Sequence, residues 1–364
     1  MTAKKALTIG SATIDTIALI DSSLIERMTM LNAGASFLLL QEGSKTEADE
    51  ISTHVGGGAV NAAVAMRRLG LDVAALVKLG IDARAGVVRN RLEAEGIHST
   101  FVVTDGRLPT GASVLVSSHE RNAAIFTFRG ANTLLEAEDL KPDAFAVDLV
   151  YVSSLSSNSA DRFPEIVRLA KASGAMIAVN PGPRQLSARG SAFFGCMGDI
   201  DLIAINRSEA EVMVAPLIPS LGEGGDPLPG GELPALATRG LIGGGFRIGL
   251  KRFLTGLLSH GPSHVLLTDG GAGAFLATKG RILHCPALQV EVAGTAGAGD
   301  AFAATVAQSI AVGIAPEDAL RRAAINAASV VGYVDTQSGL LTADEIDRRL
   351  ASLRQRLPIR AWAI

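Results

Sequence analysis

Residues 294–302 read Gly-Thr-Ala-Gly-Ala-Gly-Asp-Ala-Phe and run directly into the apolar stretch AFAATVAQSIAVG, residues 301–313. A small-residue loop that stops at an acid and enters a helix-length apolar run places unpaired backbone N–H groups beside one carboxylate, Asp300. The amides of Gly297, Ala298 and Gly299 can hold a phosphoryl group, because small side chains let the backbone approach an anion closely. The carboxylate can take a proton from an attacking hydroxyl. A loop that only bound phosphate would have little use for a negative charge there. The spacing also suits a Gly-rich turn whose Asp caps the next helix, so a second signal has to decide.

That signal lies upstream, in GGGAVNAAVAMRRLG from Gly56 to Gly70, with Gly80 following the run VAALVKL. The paired glycines, Asn61, Ala63 and Gly70 keep one spacing throughout. Together the two stretches resemble the two signatures of the ribokinase-like (PfkB) family of sugar and nucleoside kinases. The resemblance implies an α/β fold: a three-layer core with a mostly parallel sheet, plus a small β-sheet lid. It implies an ATP-dependent kinase acting on a hydroxyl of a sugar or sugar-like molecule. Asp300 would be the catalytic base and the 297–300 loop the anion hole.

The other family positions carry over residue by residue. Asp15, five residues beyond Gly10, resembles the acid that accepts hydrogen bonds from sugar hydroxyls, with Gly56, Gly57 and Asn61 completing that site. Asn206 and Glu209, in NRSEAEV, resemble the Asn-x-x-Glu motif associated with Mg2+; the same spacing also makes an ordinary helix start. Asn180, in VNPGPR, resembles a segment near the nucleotide phosphates, and Arg184 follows it. Thr268, Gly270 and Gly273 match the strand–turn–strand beside ATP, and Asn326 a position near the adenine. Asp82 matches a Gly-x-Asp element or caps the helix that begins there. Gly130, Ala131 and Asn132 match a turn at the exit of the lid.

One departure stands out. The family's anion-loop motif often begins with Asp-Thr-Thr, whose acid helps hold an activating K+; here that position is Gly294, and Ala296 replaces the usual Thr or Val. Glycine offers a hard cation only a carbonyl oxygen. Asp335 is a conceivable substitute, but loss of monovalent-cation activation is the expectation.

Composition sets bounds on the rest. The chain has 364 residues, 48% of them hydrophobic, and 40 glycines, which suits an extensive core with many tight βα turns. A net charge of −3 gives no electrostatic reason to expect nucleic acid as a partner. Cys196 and Cys285 cannot build a metal cage, and a reducing cytoplasm is expected. The first residues pass quickly into a strand-like run, without the shape of a signal peptide. Leu241–Leu258 is apolar but carries Arg247, Lys251 and Arg252, which argues against a membrane span. No Walker loop, dinucleotide fingerprint or protein-kinase motif is found.

Short apolar runs alternate with helical patterns, the mark of a mostly parallel sheet. Strands are predicted at 6–10, 73–79, 149–153, 176–179, 202–205 and 265–268. Helices are predicted at 59–69, 83–95, 161–172, 301–312 and 317–331. Residues 15–55 and 98–130 break the alternation with strands and turns, and are assigned to the lid. The core then takes 1–14, 56–97 and 131–364, with 215–262 as a Gly/Pro-rich mobile insertion. Lid strands expose edges and apolar faces, so a homodimer joined through them is expected. A nucleoside kinase is the close alternative if Phe37 and Leu38–Leu40 can face a base. An inactive binding protein on the same fold is the distant one.

Overall fold

The computed structural model describes residues 3–21, 23, 26–30, 35–39, 43, 45–118 and 123–364. A ten-stranded sheet forms the centre. In spatial order it runs Arg360–Ala363, Arg281–Cys285, Ala274–Thr278, His264–Thr268, Leu202–Asn206, Met176–Val179, Leu149–Val152, Lys5–Gly10, Asp72–Leu79 and Val103–Thr104. Pairing is parallel from His264–Thr268 onward, while the strands beyond it add antiparallel at the other edge.

The central strands read as unbroken apolar runs because both sheet faces are covered. Along Lys5–Gly10 and Leu149–Val152, alternate side chains enter opposite cores. Ala6, Leu149 and Tyr151 pack with Val64, Phe302 and Leu320. Leu7, Ile9, Val150 and Val152 pack with Phe145, Phe163, Phe193 and Phe253. Helices Gly58–Arg68 and Ala298–Ala311 contact each other on the first face. Ala59, Ala62, Ala63, Ala301, Ala304 and Ala307 are buried there, and such small side chains let two backbones approach closely.

A second sheet of four strands stands apart: Glu50–Gly56, Thr13–Ile20, Gly111–Ser118 and Ala123–Phe128. A two-stranded pair, Glu26–Met30 with Ala35–Leu39, accompanies it in sequence. The crossing from core to second sheet is pinned by Asn132, whose amide bonds both Ala12 N and Ala12 O at 2.9 and 2.8 Å. Asp82 ties the other side. It caps the helix Ala83–Ala94 through Ala85 N and takes hydrogen bonds from Thr110 N and Oγ1. Both of its oxygens are thereby committed to structure.

Three elements differ from the sequence expectation. Val103–Thr104, expected in the smaller sheet, joins the edge of the large one beside Lys78 and Leu79. The buried Lys78 ammonium holds Asp105 there at 3.2 Å and Asp139 at 2.7 Å. The segment 215–262 is mostly ordered secondary structure rather than a loose insertion. The helix Arg207–Leu221 continues through Pro216 and Pro219, held by the burial of Met213, Val214 and Leu217. Leu250–Ser259 is an amphipathic helix that buries Leu250, Phe253, Leu254 and Leu257. The Gly/Pro-rich stretch between them is tied down where Trp362 Nε1 donates to Pro229 O at 2.7 Å. Finally, the helix after the anion loop starts at Ala298, three residues earlier than its apolar pattern suggests.

Among the described residues, no helix is long and apolar enough to cross a membrane. Cys196 and Cys285 are free thiols. Leu40 and the side chains of Phe37 and Leu38 lie outside the described residues.

Candidate active site

The parallel strands all deliver their C-terminal ends to one edge of the large sheet, where α/β proteins build ligand sites. Gly297 is the N-cap of Ala298–Ala311, with φ of 78°. A Cβ there would stand 2.7 Å from Thr336 Cβ, so only glycine fits both the backbone angle and the space. Asp300 therefore sits inside the first helical turn. By position, the amides of Ala298, Gly299 and Asp300 lack the acceptor four residues back that later turns have.

Asp300 lies on the floor of a cleft. Burial raises its pKa above the ordinary carboxylate value, and the nearby Asp15 charge adds to this, while a hydrogen bond from Asn61 works the other way. Asn61 Nδ2 donates to Asp300 Oδ2 at 2.8 Å. Asn61 Oδ1 in turn accepts from Thr336 Oγ1 at 2.9 Å and Gln337 Nε2 at 3.0 Å. Asn61 was expected to touch substrate; in this structure its amide orients the acid. Thr336 and Gln337 were not singled out in the sequence, since neither belongs to a recognisable motif.

Asp15 projects from the smaller sheet toward the same region and accepts from Ser113 Oγ at 2.5 Å. Gly56 makes room for it: a Cβ would fall 2.0 Å from Asp15 Oδ2. Gly57 has φ of 94° and would clash with the Ser11 carbonyl if it carried a side chain. Burial raises the Asp15 pKa, against the hydrogen bonds from Ser113 and Thr13.

Two adjoining cavities open on the other side of Asp300. The smaller, 140 Å³, is lined by polar groups of Asn180, Asn206, Glu209, Thr268 and Asp300. The larger, 430 Å³, is bounded by Thr268, Gly270, Gly273, Ala298 and Gly299 on one side and by apolar Val290, Val292, Phe302, Ala327 and Val331 on the other. They share Asn206, Thr268 and Gly299. The 287–292 wall carries no motif and was not anticipated.

Asn206 and Glu209 form a reciprocal capping box: Asn206 Oδ1 accepts from Glu209 N at 2.9 Å, and Glu209 Oε2 accepts from Asn206 N at 2.8 Å. The helix-start reading of the motif is thereby realised. Glu209 is buried, and desolvation together with the Asp300 charge pushes its carboxyl up to about 7. Asn180 faces the small cavity while donating from Nδ2 to Ala204 O at 2.8 Å. Asn326 does not reach either cavity. It is fully buried, donating to Thr305 Oγ1 and accepting from Leu341 N, both at 2.9 Å. That makes it a satisfied core amide that joins two helices to a loop, and it is removed from the nucleotide set.

The architecture agrees with known relatives. The sequence matches the family described as "pfkB family carbohydrate kinase" over residues 4–227 and 248–343. It is 25% identical to the deoxyribokinase of Salmonella typhimurium over 340 residues, covering 92% of this chain and 98% of that protein. It is 28% identical to the 1-phosphofructokinase of Haloferax volcanii over 303 residues, covering 82% and 86%. The Arabidopsis thaliana ribokinase solved with ribose and ATP superposes with a TM-score of 0.68 at 19% identity, covering 96% of this chain and 99% of that one. The chain belongs to the pfkB family of carbohydrate kinases, ATP-dependent phosphotransferases whose acceptor is a hydroxyl group.

Proposed function

We propose that this enzyme phosphorylates a sugar hydroxyl held between Asp300 and the smaller sheet, with ATP entering from the opposite side. Asp300 is the base that takes the hydroxyl proton as the bond to phosphorus forms. The first-turn amides of Ala298 and Gly299, with the Gly297 loop, stabilise charge on the transferring group. Thr268, Gly270 and Gly273 flank the nucleotide, its base lies against the apolar wall of the 430 Å³ cavity, and its phosphates reach the polar one. Asp15 fixes the sugar through hydroxyl hydrogen bonds, aided by the close backbone approach at Gly56 and Gly57.

The observation that carries this reading is the position of Asp300. It stands where a polar cavity, an apolar cavity and the carboxylate-bearing face of a second sheet converge, with the first-turn helix amides beside it.

Mg2+ suits the polar cavity. Glu209 and Asp300 are two desolvated acids, the Asp300 charge adds to the cost of ionising Glu209, and among the described residues Glu209 forms no ion pair. A divalent cation held by Glu209, largely through water, would supply the missing positive charge and neutralise phosphate oxygens. The smaller sheet acts as a lid that closes over bound sugar. It also exposes Ile51, Val114, Phe126 and Phe128, an apolar surface we assign to a homodimer interface. We place the enzyme in the cytoplasm, where its two free thiols stay reduced.

The test is ADP release from Mg-ATP over a panel of sugars and nucleosides, run with the wild type and Asp300→Asn. Sugar-dependent ADP release that the substitution abolishes supports the reading. Release only with nucleosides would replace it by the nucleoside-kinase alternative.

A further inference from the structure

Three loops meet beside the acceptor side of the site. A Cβ at Gly58 would stand 3.5 Å from Asp300 Oδ1 and 3.1 Å from Ser153, so the loop that begins at Ser153 starts against the reacting centre. The next residue, Ser154, touches the turn that leads into the helix Pro183–Ala188, where a Cβ on Gly182 would fall 2.2 Å from Ser154 Oγ. Two residues on, the buried Ser156 accepts a hydrogen bond from Arg129 Nη1 at 2.9 Å. Arg129 and Arg184 thus flank one short loop that leads to Asp300.

Their charges are unusual. Arg129 is half-buried, and among the described residues its partners are a neutral hydroxyl and the like charge of Arg184. Desolvation and that like charge both pull its pKa below the ordinary value. Two like charges beside one short loop, one of them partly desolvated, cost free energy unless an anion joins them. The backbone holds Arg129 in place: Gly130 has φ of 50° and would meet Pro109 O at 2.1 Å if it carried a Cβ.

We infer that Arg129 and Arg184 form a subsite for an anionic group, phosphate or carboxylate, on the acceptor sugar, so that the enzyme selects a charged sugar over its neutral counterpart. The inference rests on the kinase reading above. Arg129 directly follows Ala123–Phe128, in the sheet that carries Asp15 and Ser113, which places the anion on the acceptor rather than on the nucleotide. Planar guanidiniums suit both phosphate and carboxylate oxygens.

The experiment measures ADP release by the full chain with ribose and fructose as neutral acceptors, fructose 6-phosphate as a phosphorylated one and gluconate as a carboxylated one. Arg129→Gln, Arg129→Lys and Arg184→Gln are compared with the wild type. The expected result is a kcat/KM for one charged acceptor about 10²-fold above the neutral ones, and a loss of similar size on Arg129→Gln or Arg184→Gln. That loss should lie in acceptor KM, with ATP KM held and partial rescue by Arg129→Lys. Whether fructose 6-phosphate or gluconate is preferred identifies the anion. Neutral sugars turned over equally well would overturn the subsite and leave the kinase reading standing. A rise confined to ATP KM would also overturn it, by moving the arginines to the nucleotide. If no acceptor releases ADP, the kinase reading fails by itself. Thermal stabilisation by fructose 6-phosphate or gluconate, lost in Arg129→Gln, then supports the subsite, and its absence overturns it.

Discussion

Asn61 Nδ2 meets Asp300 Oδ2 at 2.8 Å, joining the two glycine-rich stretches of the chain across 239 positions of sequence. The bond makes the upstream motif a support for the acid in the downstream one. It favours the charged form of Asp300, against burial and the nearby Asp15 charge.

Asp300→Asn should lower kcat by roughly 10²–10⁴-fold, the usual worth of positioned acid–base catalysis, with far less effect on either KM. Asn61→Ala removes the hydrogen bond that favours ionised Asp300, so the pKa of the acid moves further up. Since the base acts deprotonated, activity is lost as pH falls through that pKa. The acidic limb of the kcat profile should therefore shift to higher pH in Asn61→Ala. Near-normal turnover in Asp300→Asn would remove the base assignment, and an unmoved limb in Asn61→Ala would reduce Asn61 to packing.

Glu209 gives a stability test that needs no substrate. Its carboxyl is raised from 4.5 to about 7 by burial and the Asp300 charge, so folding favours its protonated form. That contribution is complete below about pH 4.5 and is lost as pH rises through about 7, on the order of 3 kcal/mol in all. Without divalent cation, Glu209→Gln should melt higher than the wild type at pH 8 and like it at pH 4.5. Mg2+ should raise the wild-type Tm at pH 8 and leave that of the variant nearly unchanged. Equal Mg2+ shifts in the two proteins would take Glu209 out of the metal site.

Gly56→Ala probes the sugar side. The added methyl would fall 2.0 Å from Asp15 Oδ2, forcing the carboxylate aside. Acceptor KM should rise by about tenfold or more, with ATP KM unchanged. Steady-state kinetics with each substrate varied in turn decide the matter. A change in both KM values would point to a general disturbance of the fold.

The absence of an acid at position 294 gives a prediction about cation dependence. Gly294 lies against the backbone of Tyr333 and Val334, and the candidate replacement, Asp335, is already engaged: its Oδ1 accepts from Gln337 N and Ser338 N, both at 2.8 Å. Against the opposing effect of burial, those bonds hold its pKa below the ordinary value, and they occupy Oδ1. Activity at constant ionic strength with Mg2+ should be nearly equal in K+ and in a bulky organic cation. Saturable activation by K+ would show that backbone carbonyls near Gly294 suffice.

Much of the fold was legible because the large sheet is covered on both faces, so Lys5–Gly10, Asp72–Leu79 and Leu149–Val152 stand out as apolar runs. Asp300, Gly297 and Glu209 could be singled out as candidates because each falls within a fixed local spacing. Thr336, Gln337 and Ser113 could not, since each reaches Asn61 or Asp15 through a long-range hydrogen bond that leaves no local pattern. Asn326 misled for the converse reason: a polar residue on an apolar helix reads alike whether its partner is a ligand or Thr305. In 215–262 the count of Gly and Pro hid the buried spacing of Leu250, Phe253, Leu254 and Leu257. Local breakers were overruled there by tertiary burial.

The smaller sheet makes the last prediction. Val114 and Phe126 are cross-strand partners, 44% and 64% exposed, and Phe128 lies two residues further along the same face. Paired apolar side chains on a solvent-facing sheet gain by meeting a second copy, whereas an isolated exposed residue needs no such explanation. Asp15 and Ser113 are register partners directly beside this row, with side chains that point to the opposite face. A dimer through the Val114–Phe126 face would therefore brace the sheet from behind and leave the carboxylate side free for sugar. Phe126→Glu should convert a dimer into a monomer in light scattering at micromolar concentration. It should also raise acceptor KM more than ATP KM, because an unbraced sheet holds Asp15 less firmly. A wild type that is already monomeric at that concentration would exclude this interface.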